Sequence, residues 1–142
     1  MRIFIAAISF VLLSGCTVIQ PFIDKFTIAQ FDENEYALVN KIRTVAALAG
    51  QRCDDQLTSK LYAKSLYHYG IELKNYSQYI PKNEQTKKPV ELLYKMTVDV
   101  NDRYNKQETV SKTYCELKYK SIQQSAEMIQ KAIGNRPRPS VW

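Results

Sequence analysis

At 142 residues, with 45% hydrophobic and 24% charged side chains, the chain has apolar material for one domain with a modest core and too little length for a second. Its formal net charge of +6 is scattered along the sequence with no dense basic block, which reads as a solvated basic surface, or as one drawn to anionic lipid headgroups or an acidic partner. Four glycines and a single histidine leave little raw material for phosphate-cradling loops or a histidine-based active site.

The N-terminus carries Arg2, an unbroken apolar run from Ile3 to Leu13, then the small residues Ser14 and Gly15, then Cys16. Charge, apolar core and small-residue cleavage site in that order make an export signal. The apolar run is too short for a membrane-spanning helix, which needs about 20 residues.

Leu13-Ser14-Gly15-Cys16 resembles the lipobox of bacterial lipoproteins. The resemblance implies removal of residues 1–15, a diacylglycerol on the Cys16 thiol and an acyl chain on its new amino group. Thr17, not Asp, follows the cysteine, which in that class implies an anchor in the outer membrane facing the periplasm. Several acyl chains together anchor firmly where one would be marginal. An exported chain has no nucleic acid to meet.

Residues 16–31 form a tether whose Phe22, Ile23 and Phe26 can lie at the membrane surface or pack onto the domain. The helical domain is expected over 32–134. Asp32 and Glu35 have capping-box spacing, Phe31 stands where a staple residue would, and Val39, Ile42, Ala46, Ala49 and Cys53 follow at helical steps, predicting a helix over about 33–51. A second, over about 55–80, is capped by Asp54, Asp55 or Thr58 and carries a heptad seam of Tyr62, Leu66, Tyr69, Leu73, Tyr76 and Ile80 before Pro81 stops it. A polar connection leads to Pro89, suited to the first position of a third helix. That helix is expected over about 90–133, with a possible kink where apolar residues thin out through Asn101–Thr109. Gly134-Asn135 stops it, and residues 135–142 form an extended basic tail containing Pro137 and Pro139.

With Cys16 taken by lipid, Cys53 and Cys115 remain as a pair in an oxidising compartment, which reads as a disulfide. If the second and third helices form an antiparallel hairpin, the two cysteines lie about 42 and 39 Å from its turn, at matching height. The expected fold is therefore all-α, an elongated antiparallel helical hairpin or three-helix bundle stapled by one disulfide.

No catalytic or metal-binding constellation stands out, and neither an enzyme nor a cofactor beyond the covalent lipid is expected. His68 has only Glu72 as a local carboxylate, and a general base would need a nucleophile as well. Tyr67, Tyr79, Tyr94 and Tyr119 fall off the main stripes; with Arg136, Arg138 and Trp142 of the tail they form the candidate partner surface. The expectation is a non-catalytic adaptor or envelope assembly protein, held to the membrane by its lipid and binding a protein partner. Its general plan resembles that of secretin pilotins in architecture alone. The alternative is a phage- or plasmid-encoded envelope lipoprotein acting in superinfection exclusion or, like a spanin, in lysis.

Overall fold

A computed structural model describes residues 28–106 and 109–140, and among these four helices form: α1 (Glu33–Gly50), α2 (Gln56–Gln78), α3 (Glu84–Lys106) and α4 (Lys112–Gly134). The expected signal peptide, Cys16, the expected tether up to residue 27 and Trp142 lie outside the described residues. Each helix packs on its neighbours in sequence, and α4 returns to pack on α1. All contacts run antiparallel. Along α1 and α2, Asn34 meets Tyr76 while Lys41 sits over Tyr69. Along α3 and α4, Met96 meets Ser125 while Asp99 meets Lys118.

The expected third helix is thus two. A single helix over 90–133 would carry half of its apolar residues past the end of its partners. Instead the chain leaves α3 at Lys106, and Ser111 caps α4 by accepting from the Tyr114 N–H. Gln56 stabilises the reversal with its side-chain amide, which donates to the Val110 carbonyl at 2.7 Å and accepts from the Val110 N–H at 3.0 Å. The fold is accordingly a four-helix bundle, not a hairpin or three-helix bundle. Pro89 is also displaced from its expected place: α3 begins at Glu84, so the proline lies inside the helix and withholds the bond that the Gln85 carbonyl would otherwise accept. Gln85 is exposed to water.

Cys53 and Cys115 are bridged, with their Cα atoms 5.7 Å apart. The partners differ from the expected hairpin: Cys53 sits in the turn after α1 and Cys115 in the first turn of α4. The heights match because α2 and α3 have 23 residues each, which brings the turn before α2 and the first turn of α4 to the same end of the bundle.

On α2 the deepest stripe is Ser59, Ala63, Leu66, Gly70, Leu73 and Ser77, with Tyr62, Tyr69 and Tyr76 half-buried beside it. Small residues in that stripe let helices approach. A methyl at Gly70 would collide with the Thr97 Oγ1 of α3 and lie 3.3 Å from its Cβ.

The opposite end of the bundle is closed by polar groups. Asp32 caps α1 by accepting from the Glu35 N–H at 2.8 Å, and Phe31 packs on Tyr36 with ring centroids 5.6 Å apart, as a hydrophobic staple does. Glu35 does not turn back to complete a capping box. Its carboxylate points inward, where it pairs with Arg136 at 2.5 Å and accepts from Ser77 Oγ and Asn83 Nδ2 at 2.9 Å each. Arg136 also donates to Asn83 Oδ1 and to Thr86 Oγ1. Glu35 and Arg136 are both buried, so one ion pair joins the start of α1, the end of α2, the α2–α3 turn, the start of α3 and the tail. Across the same end, the Phe31 N–H donates to the Pro137 carbonyl at 2.8 Å and the Ala29 N–H to the Lys82 carbonyl at 3.2 Å. Residues 136–140 are non-helical and are docked on the bundle through Pro137.

Two predictions follow from this packing. The bridge closes a sequence separation of 62 residues, for which loop entropy gives about 4 kcal/mol. Cys53→Ser/Cys115→Ser should unfold in denaturant with a stability lower by about 2–4 kcal/mol; an unchanged midpoint would show the bridge to be dispensable. Gly70→Ala should destabilise by about 1–2 kcal/mol, the overpacking outweighing the gain in helix propensity. In a Thr97→Ala background that loss should shrink by about 1 kcal/mol, and an equal loss in both backgrounds would rule out close α2–α3 approach as its cause.

Candidate partner-binding surface

The residues expected to form one partner surface are dispersed. Tyr119 is fully buried, where its hydroxyl donates to the Ser59 carbonyl at 2.7 Å and its ring stacks on Tyr104. Burial, with Tyr104 beside it, pushes its ionisation well above the ordinary tyrosine range. Arg136, 5% exposed, is held by Glu35. Neither can serve an exposed surface, because both lie at positions where α4 and the tail meet the other elements. Arg138 is exposed and lies over the Phe31 ring at 4.3 Å. Tyr79 is 86% exposed at the end of α2, and Tyr94 is half-buried on α3 beneath the Lys74 ammonium. These three stay on the tether-side half, away from Tyr67.

Tyr67 lies elsewhere, in a groove of about 520 Å³ along the outer side of α2. Its α2 wall is Leu57, Lys60, Leu61, Lys64, Tyr67 and His68; Asn101 and Asn105 of α3 face it. The arrangement follows from helical spacing: Leu57, Leu61, Lys64 and His68 recur at steps of four and three, off the stripe that enters the core. Leu57 and Leu61 are 71% and 59% exposed. Two adjacent leucines left in water by a helix that buries Ser59 and Ser77 are in the wrong place for a solvated face.

The groove brings two cations together on one helix face, Lys60 and Lys64, which like Lys41, Lys88 and Lys120 have no ion pair among the described residues. Lys74, Lys87, Lys95, Lys106, Lys112, Lys118 and Lys131 each hold a carboxylate within ion-pair distance. The bond from Lys118 holds the Asp99 carboxyl below its ordinary range, and that from Lys131 does the same for Glu127. His68 stands exposed at the groove edge beside Tyr67, with ring centroids 5.7 Å apart. Among the described residues no three His, Cys, Asp or Glu side chains gather as a metal site.

A second groove, of about 290 Å³, runs between α3 and α4 and is lined mainly by Pro89, Leu92, Leu93, Met128 and Ile129. It is almost wholly apolar and lacks a charged wall.

Sequence reasoning singled out Tyr67 but missed Leu57 and Leu61. Their signal was present: the seam through Tyr62, Leu66 and Tyr69 leaves both leucines on another face of the same helix.

No family model, no curated protein and no solved structure matches this chain.

Proposed function

We propose that the protein is a lipid-anchored, non-catalytic adaptor or assembly factor of the cell envelope, held at the periplasmic face of the outer membrane through the diacylglycerol and acyl chain on Cys16. The groove on α2 is its binding face for an envelope protein. The observation that carries this reading is the exposed pair Leu57 and Leu61 beside Lys60 and Lys64 on an otherwise polar helix surface.

The placement of the chain ends supports it. Residues 29 and 31 are strapped onto the Glu35–Arg136 end by bonds to Lys82 and Pro137, so the tether enters there. The groove lies toward the disulfide end, with Leu61 about 24 Å along α2 from Ser77. Residues 29–31 thus join the bundle at one end, and the binding face lies toward the other. Among the described residues no helix is long and apolar enough to cross a membrane, and the lipid serves as the attachment.

The test is the N-terminus of the protein expressed in a double-membraned bacterium. Mass spectrometry of the purified protein should find it to begin at Cys16, carrying a diacylglyceryl group and an amide-linked acyl chain. Cys16→Ser should lose both and leave the outer-membrane fraction. An unmodified Cys16, or a Cys16→Ser protein still in that fraction, would overturn the anchor.

A further inference from the structure

We infer that the α2 groove recognises an acidic amphipathic helix, one that sets two apolar side chains against Leu57 and Leu61 and carboxylates against Lys60 and Lys64. The inference rests on the adaptor reading and names the chemistry of its partner.

Spacing gives the shape of the occupant. Leu57 and Leu61 are one turn apart, as are Lys60 and Lys64, so the apolar and the cationic pair form two short parallel rows about 6 Å long. A helix with apolar residues at i and i+4, and acids on the adjoining stripe, presents the complementary rows at the same pitch. Asn101 and Asn105, also one turn apart, form the far wall and can donate to or accept from the polar side of such a helix.

Charge selects among occupants. A second copy meeting this face about a two-fold axis would bring Lys60 and Lys64 toward their own equivalents, which is repulsive. An anionic membrane would suit leucines and lysines, but the site is a groove walled by α2 on one side and by Asn101 and Asn105 of α3 on the other, and a rod-like helix fills such a groove where a flat headgroup surface does not. An acidic protein helix satisfies both rows without either conflict. The lysines already paired within the bundle leave Lys60 and Lys64 as cations of the groove open to such a partner.

The experiment uses the mature protein as isolated, whatever its N-terminal modification, kept in solution by an amphipathic polymer in place of detergent so that vesicles stay intact, and three probes. These are a synthetic helix with leucines at i and i+4 flanked by glutamates, the same helix with lysines for glutamates, and phosphatidylglycerol vesicles. The glutamate helix should bind and weaken as salt rises; the lysine helix should not bind. Lys60→Glu/Lys64→Glu and Leu57→Ser/Leu61→Ser should each weaken binding about tenfold or more. All four positions are exposed or edge-of-groove sites, and unchanged circular dichroism and melting will show the variants folded. Equal binding of both helices, or binding indifferent to the substitutions, would overturn the proposal. Vesicle binding that depends on the same four residues, with no glutamate-helix binding, would overturn it in favour of a lipid surface. Because the probes are added in solution, failure here leaves the Cys16 anchor standing, and an unlipidated Cys16 would leave this result standing.

Discussion

A carboxylate and a guanidinium taken out of water together face a desolvation penalty of several kcal/mol per ion, and their mutual attraction offsets it only when every remaining lone pair and N–H is matched. Glu35 and Arg136 approach that condition, with both carboxylate oxygens bonded, one by Arg136 and the other by Ser77 and Asn83, and three guanidinium N–H groups donated, to Glu35, Asn83 and Thr86. Such a pair adds modest net stability against an apolar replacement, whereas removal of one member strands the other in the interior. It sets the tail against the start of α1, the turn between α2 and α3 against both, and the strap of residues 29–31 across the top.

The two ends of the bundle are therefore closed by different physics. At one, a polar network joins segments separated by up to 101 residues. At the other, a covalent bridge fixes the α1–α2 turn to α4, and Gln56 holds the loop before α4 by its backbone. Between them α2 and α3 approach closely at Gly70 and Thr97. A binding face built on a helix held at both ends is positioned more firmly than one on a loop.

Much of the fold was legible along the chain because its signals are local. Asp32, Phe31 and Pro81 marked the limits of α1 and α2 within two residues, and the cysteine count announced the bridge. The split of the third helix was less so: the thinning of apolar residues through Asn101–Thr109 marks the place, while Ser111 acts as a cap only once the chain has turned. Glu35 looked like half of a capping box because its true partner lies at the far end of the sequence, where a Gly-Asn stop followed by Arg-Pro-Arg-Pro reads as a loose tail. For the α2 groove, Tyr67 was visible as an off-stripe aromatic. Tyr119 was misplaced because its stripe belongs to α4 packing on α1, a contact that exists only in a four-helix arrangement.

The central claim is that the Glu35–Arg136 pair holds the chain ends onto the bundle, and hydrogen exchange read together with denaturant unfolding tests it most directly. Arg136→Met leaves Glu35 buried without its counter-charge. It should lower the unfolding free energy by about 3–5 kcal/mol, and the amides of Ala29 and Phe31 should lose protection before those of α2. Unchanged stability with those two amides still protected would contradict the account.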